Sequence, residues 1–324
     1  MIKVASLTKR YGSNFALDNA SFEIGGKEIV GLLGPNGAGK STTMNILTGY
    51  LSATSGEVSV GGIDILKNPI EAKKNIGYLP EQPPLYQEMT VVEYLNFVYD
   101  LKKCRLDRRA HIDEICEVVK ISDVKNRIIG HLSKGYKQRV GIAQALINDP
   151  PVLIFDEPTV GLDPKQIIEI RNLIRTLGAK HTVILSTHIL SEVQSVCERI
   201  IIINKGKIIA DKKTDELSRD IDDSVKYRLK ICAPKTEAIA AFRANAGIAA
   251  CELLPDRDGD SITLSLENKR GIDIRKSVYY VCSQNNWPIL EFSPVGMELE
   301  DIFIRLIDKG EGGNDKKKKA RARG

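Results

Sequence analysis

The segment Gly34-Pro35-Asn36-Gly37-Ala38-Gly39-Lys40-Ser41 has the spacing G-x-x-x-x-G-K-[ST]. It follows the apolar run Glu28–Leu33 and opens a helical pattern, the setting such a loop needs in order to hold phosphate. The glycines clear side chains away, so that backbone N–H groups can wrap phosphate oxygens, and the helix N-terminus adds partial positive charge. Lys40 is placed to reach the β- and γ-phosphates of a nucleotide, and Ser41 to put its hydroxyl on Mg²⁺. Further on, Val152-Leu153-Ile154-Phe155 runs straight into Asp156-Glu157. On a central parallel strand such an acidic end opens onto the sheet's ligand-binding edge. Asp156 is then the candidate holder of Mg²⁺, and Glu157 the candidate general base for an attacking water.

These residues need a scaffold that brings strand ends together. Residues 1–220 alternate short apolar runs with helical patterns. Strands are predicted at Lys3–Leu7, Glu28–Leu33, Gly56–Val60, Val152–Phe155, Thr182–Ser186 and Arg199–Ile203. Helices are predicted at Lys40–Thr48, Val91–Lys102, Arg108–Lys120, Lys137–Ile147, Pro164–Leu177 and Ile189–Cys197. The wholly apolar runs Val152–Phe155 and Val183–Leu185 read as strands buried on both faces, which implies an α/β core with a largely parallel sheet.

The polar stretch Ser218–Ser224 interrupts that pattern and marks a domain boundary. Beyond it the order is strand (Val225–Ile231), helix (Thr236–Asn245), strand (Ala249–Leu254), a turn at Asp258-Gly259, strand (Ser261–Leu266), helix (Ile272–Asn285) and strand (Ile289–Ser293). That β-α-β-β-α-β order predicts a smaller ferredoxin-like α+β domain over 221–308, closed by a helix at Leu299–Asp308. Residues 309–324, rich in Gly and Lys, are expected to be a disordered, solvated basic tail.

Four further features narrow the class of nucleotide enzyme. Leu132-Ser133-Lys134-Gly135-Tyr136 precedes a helix a short way before Asp156. Gln82 follows Tyr78-Leu79-Pro80-Glu81, just past a strand. Gly161-Leu162-Asp163-Pro164 comes soon after Glu157. His188 ends Leu185-Ser186-Thr187-His188, past another buried strand. In this order and spacing, residues 1–220 resemble the ATP-binding subunit of an ABC transporter. The branch that fits best has an ATPase serving a separate export permease, as in drug exporters and gliding-motility-type ATPases.

The resemblance implies a P-loop NTPase fold of ABC type with a helical subdomain, ATP and Mg²⁺ as ligands, and ATP hydrolysis coupled to transport. It implies that Gly34, Asn36, Gly37, Ala38, Gly39, Lys40, Ser41 and Thr42 hold phosphate, and that Tyr11, in Arg10-Tyr11-Gly12, stacks on adenine. Gln82 is matched to the residue that senses Mg²⁺ and the attacking water, and His188 to the switch that contacts the γ-phosphate. Asp163 is matched to the loop that communicates across a dimer. The signature segment departs from L-S-G-G-Q, with Lys134 and Tyr136 in place of a glycine and the glutamine. Ser133, Gly135 and the helix N-terminus, the parts that face phosphate, are retained. In the family that segment completes a partner's ATP site, so the resemblance implies a homodimer or a pairing with a sister subunit. The stretch after Gln82, with Leu85, Tyr86 and Met89, and the helices between Val91 and Lys120 are expected to dock an integral-membrane permease made as a separate chain. The domain that follows residue 220 is expected to support the dimer or to regulate it.

Composition excludes several alternatives. With 42% hydrophobic and 27% charged residues, 324 residues fit two globular domains. No apolar run approaches the roughly 18 residues of a spanning helix, and Met1-Ile2-Lys3-Val4 lacks a signal-peptide layout. The expected place is therefore the cytoplasmic face of the membrane, held there by the permease. The net charge of +5 resides in the tail, where residues 315–324 carry six basic residues and one acid. The remainder holds equal numbers of both signs, so no nucleic-acid partner is expected. Six scattered cysteines, with no CxxC pair, read as reduced thiols. A soluble ATPase acting on ribosomes or nucleic acid usually carries two ATPase halves, and this chain has one. A non-hydrolysing module would not need Glu157 and His188.

Overall fold

A computed structural model describes residues 1–217, 226–255, 261–269 and 271–295. The chain begins with a hairpin, β1 (Ile2–Tyr11) and β2 (Asn14–Ile24), followed by β3 (Ile29–Leu33) and α1 (Lys40–Leu47). Then come β4 (Ser55–Val60), β5 (Ile63–Asp64), α2 (Pro69–Lys74) and β6 (Ile76–Leu79). A helical segment follows with α3 (Val91–Leu101), α4 (Arg108–Val118) and α5 (Lys134–Leu146). The chain returns to strand–helix alternation in β7 (Val152–Asp156), α6 (Pro164–Gly178), β8 (Thr182–Thr187) and α7 (Leu190–Val196). It then runs through β9 (Arg199–Asn204), β10 (Lys207–Lys213) and the short α8 (Thr214–Leu217). The rest is β11 (Lys226–Ile231), α9 (Lys235–Ala244), β12 (Ile248–Leu254), β13 (Ile262–Asn268), α10 (Arg275–Gln284) and β14 (Ile289–Val295).

Two compact units result, Met1–Thr214 and Asp215–Gly324. In the first, a six-stranded sheet runs β10-β9-β3-β8-β7-β6. Its pairs from β9 to β6 are parallel, and β10 is added antiparallel at the edge. Every residue of β3, β7 and β8 is buried, which is why those runs carry no polar alternation. Parallel pairing in this order brings the C-terminal ends of β3, β7 and β8 side by side, and so sets Gly34, Glu157 and His188 at one edge. A second, antiparallel sheet, β2-β1-β4-β5, shares one apolar core with this layer, including Leu7, Leu17, Phe22, Val58 and Ile154.

Local chemistry sets the helix starts. Thr90 and Glu93 form a reciprocal capping box at α3. Asp163 caps α6 by accepting from Gln166 N at 2.9 Å. At α5 the helix begins at Lys134 and not at Lys137 as the sequence suggested, because Ser133 is its N-cap, facing Tyr136 N. Gly135 therefore lies within the first turn. Sequence patterning did not give β2, the two-residue β5 or β10. β10 carries Lys207, Asp211, Lys212 and Lys213, the charged dress of an edge strand.

The second unit pairs its strands in the order β12-β13-β11-β14, all antiparallel, with two helices between them in sequence. That is the ferredoxin-like topology. Its core gathers Leu229, Ile231, Phe242, Leu264, Val278 and Trp287. The expected turn at Asp258-Gly259, the helix Leu299–Asp308 and the tail 309–324 lie outside the described residues. Among the described residues no helix is long and apolar enough to cross a membrane.

Candidate active site

The loop between β3 and α1 turns on itself at Gly39, where φ is +112°. A Cβ there would lie 2.6 Å from the Ala16 carbonyl oxygen, so only glycine fits. This close approach keeps the loop tight and aims the first N–H groups of α1 into a cleft of about 290 Å³. Asn36, Gly37, Gly39, Lys40, Ser41 and Thr42 line the cleft, facing Glu157 and His188.

Lys40 is buried. Its ammonium donates to the carbonyl oxygens of Gly34 (2.7 Å) and Pro35 (3.3 Å) and lies 3.8 Å from Glu157 Oε1. Burial pulls the Lys40 pKa down, and the charges of Glu157, Asp156 and Glu81 offset part of that. Glu157 itself has φ +48°, a left-handed conformation that costs a non-glycine residue about 1–3 kcal/mol and persists where neighbours impose it. Here Glu157 N donates to Ser186 O at 3.0 Å, which fixes the turn against β8. The strained turn sends the carboxylate to His188, whose Nδ1 lies 3.0 Å from both Glu157 oxygens. A carboxylate held by a histidine beside a phosphate-binding loop is equipped to take a proton from water at a terminal phosphate.

Asp156 ends β7 only 4% exposed. Its Oδ1 is buried without a hydrogen-bond partner. Burial, with the Glu81 charge adding to it, lifts this carboxyl above the usual range, while the nearby Ser186 hydroxyl, the Lys40 charge and the Ser41 hydroxyl oppose the shift. An orphaned buried carboxylate oxygen close to Ser41 is what a divalent cation would satisfy. Among the described residues no group of three or more His, Cys, Asp or Glu forms a metal cage. A hydroxyl and one carboxylate, completed by phosphate oxygens and water, suit Mg²⁺.

Gly34 and Ala38, though part of the loop, do not line the cleft, and Gln82 and Tyr11 lie outside its lining as well. Gln82 is exposed and does not line the cleft; the preceding Glu81 does. Gln82 was matched by its place just past β6, and at that place it is the neighbouring Glu81 that the chain delivers to the cleft. Tyr11 ends β1 at the hairpin, 52% exposed, with the Lys9 ammonium 5.2 Å from its ring centre. The wall on that side of the cleft is Ala16 of β2, a strand that sequence patterning missed. Val160 also lines the cleft without having been foreseen.

Ser133 and Gly135 belong to a different hollow of about 270 Å³, shared with Tyr136, Arg139, Gln166 and Glu169. There α5 is fastened to α6: Arg139 Nη2 bonds Glu169 at 2.6 Å, and a Cβ on Gly135 would collide with the Gln166 amide at 2.7 Å. Tyr136, which stands where the common signature has glutamine, donates its hydroxyl to Asp123 at 2.9 Å. The signature segment and the phosphate loop thus line two separate hollows on one chain.

Comparison with known proteins agrees with this geometry. The sequence profile of the family described as ABC transporter matches residues 17–160. The bacitracin transport ATP-binding protein BcrA of Bacillus licheniformis is 33% identical over 312 residues, spanning 96% of this chain and 98% of its own length. The linearmycin resistance ATP-binding protein LnrL of Bacillus subtilis is 38% identical over 253 residues, 76% of this chain and 80% of its own. Among solved structures, the dimeric post-hydrolysis state of the ATP-binding cassette MJ0796, bound to ADP and Pi, superposes with a TM-score of 0.59. It is 30% identical, and the match covers 66% of this chain and 98% of that one.

Proposed function

The chain belongs to the ATP-binding subunits of ABC transporters, and from that premise we propose how its own residues hydrolyse ATP and with what they work. It binds and hydrolyses ATP to power transport, and we assign the transport to the export direction. The observation that carries the mechanism is the juxtaposition of Lys40, Glu157 and His188 around the phosphate loop.

The N–H groups of Gly37 and of residues 39–42, with the Lys40 ammonium, bind the phosphate chain, while the Ala38 N–H closes the loop on the Pro35 carbonyl oxygen. Glu157 accepts the proton of the attacking water. The water oxygen bonds to the terminal phosphorus, and the bond to the bridging oxygen of ADP breaks. His188 orients Glu157 through the 3.0 Å contact and donates toward the γ-phosphate. Ser41 and Asp156 would hold Mg²⁺, which would neutralise charge on the phosphate oxygens. Glu81, and not Gln82, supplies the side chain that senses this ion, since Glu81 is the one that lines the cleft. Tyr11 ends β1 on the hairpin whose other strand, β2, gives Ala16 to the cleft wall, and it is the aromatic we assign to the adenine.

The partner assignments rest on the same premise. Two copies, or this chain and a sister subunit, close head to tail. The Ser133–Gly135 half-site of one, next to Gln166 of the helix that Asp163 caps, then completes the phosphate loop of the other. A related cassette is dimeric. The permease is a separate integral-membrane chain that holds this subunit on the cytoplasmic side. Its dock is the aromatic cluster where Tyr86, half exposed, packs edge-on against Phe97 at 5.3 Å and near Tyr94 at 6.1 Å. Cargo choice belongs to that permease, since the ATPase fold does not set it.

The test is gentle detergent extraction of the full chain from its own cells' membranes, with mass spectrometry of what accompanies it. A stoichiometric multi-span protein is the expected result. Recovery with ribosomes, or with no membrane protein, would overturn the partner assignment.

A further inference from the structure

Behind the Glu157–His188 pair lies a carboxylate that the proposed chemistry does not use. Glu192, on α7, is 2% exposed. Its Oε1 accepts from the Thr159 hydroxyl at 2.5 Å and its Oε2 from the Thr187 hydroxyl at 2.9 Å. Thr159 is two residues past Glu157, and Thr187 is the residue before His188. Arg171 on α6 brings its guanidinium within 3.7 Å of Oε1. Thr187 Oγ1 also accepts from Ile189 N at 3.1 Å, so the turn around His188 is gripped from both sides.

A buried carboxylate is a poor device for stability. Desolvation costs as much as its pairing returns, and an apolar side chain of similar size would fill the space at no such cost. What the carboxylate does that an apolar group cannot is accept from two hydroxyls at once, with one oxygen for each. Those hydroxyls sit on the loop after β7 and on the last residue of β8, whose separation sets the 3.0 Å Glu157–His188 contact. The third tie, through Arg171, reaches α6, whose N-cap is Asp163.

We propose that Glu192 is a positioning residue for ATP hydrolysis, clamping the Glu157 loop and the His188 loop in fixed register. The proposal rests on the assignment of Glu157 and His188 to the chemical step. It concerns kcat and not nucleotide binding, because Glu192 does not line the cleft.

The experiment uses the full chain and measures ATP turnover, ATP affinity with a fluorescent nucleotide, and melting temperature. Glu192→Leu keeps the size and removes both acceptors. Glu192→Gln keeps an acceptor for one threonine and an N–H for the other. Expected is a loss of roughly 30-fold or more in kcat for Glu192→Leu, with ATP affinity within about twofold, since displacements of an ångström at a reacting centre cost on the order of 10²-fold. Glu192→Gln should recover most of the loss. In a His188→Ala background, followed by single turnover, the further effect of Glu192→Leu should shrink to under about threefold, because the contact it maintains is already gone.

Equal losses in both backgrounds, affinity falling in step with kcat, or parental kcat in Glu192→Leu would each overturn the proposal. If Glu192→Leu does not fold, Thr159→Val and Thr187→Val, each cutting one tie, decide by the same criterion. Glu157→Gln run in parallel separates the two layers. Turnover surviving in Glu157→Gln refutes the site assignment itself. Turnover lost there but unchanged in Glu192→Leu refutes only the clamp.

Discussion

Replacing Glu157 by Gln tests the heart of the site with the least disturbance. The amide has the shape of the carboxylate and meets the same backbone strain at φ +48°. Lys40 keeps its bonds to the Gly34 and Pro35 carbonyl oxygens, so the loop retains its form. Two properties change. The amide cannot accept the proton of the attacking water, and a general base is worth about 10²–10⁴-fold, or roughly 3–5 kcal/mol of barrier. The cleft also loses one of the three carboxylates, Glu81, Asp156 and Glu157, whose charges act on Lys40. That repulsion opposes a polyanionic ligand, so ATP affinity is expected to be unchanged or a few-fold tighter. Phosphate release should therefore fall by at least about 100-fold while nucleotide binding persists, and the ATP-bound chain should collect as a dimer on size-exclusion chromatography. Turnover within about threefold of the parent would refute the reasoning, because a base contribution that small lies well below the range for positioned proton transfer.

Three other outcomes follow from particular contacts. Asp156→Asn should raise the melting temperature of the nucleotide-free chain at neutral pH. The folded state holds this carboxyl with a raised pKa, so the charged form costs stability above the window and the cost vanishes as pH falls through it. The difference between variant and parent should therefore shrink on acidification toward the ordinary carboxylate range, and a difference independent of pH would contradict it. Ser133→Ala removes the α5 cap, costing about 1 kcal/mol in stability. It should also weaken ATP-induced dimerisation more than ATP binding, checked by sizing and nucleotide titration. Glu81→Gln should leave ATP affinity without metal equal or better and lower the affinity for Mg²⁺ or Mn²⁺, measured by calorimetry on the ATP-bound chain. An unchanged metal affinity would return the sensing role to another residue.

What the sequence disclosed and what it hid divide along a physical line. The phosphate loop and the acidic end of β7 were legible because their chemistry is carried by neighbouring residues. Backbone N–H groups, a helix start and a strand that is buried throughout all declare themselves in local composition. The second unit's topology was legible for a related reason, since six short elements in β-α-β-β-α-β order leave few ways to pair. β2 and β10 were obscured by polar and charged residues, which an edge or an outer sheet tolerates at little cost. That Glu81 and not Gln82 lines the cleft was hidden for a different reason, since which of two adjacent side chains enters a cleft depends on how the chain leaves β6, and composition does not encode that. Glu192 is the extreme case. On a short helix, between Ser191 and Val193, it reads as a solvated charge. Only the approach of Thr159 and Thr187, contributed by two other segments, turns it into a buried acceptor for both. A motif can therefore locate the groups that touch ATP, while the groups that hold those in place are set by separations that exist only once β7, β8 and α7 have packed. Substitutions at such hidden ties should lower turnover while sparing nucleotide binding, so a scan scored on binding alone would pass over them.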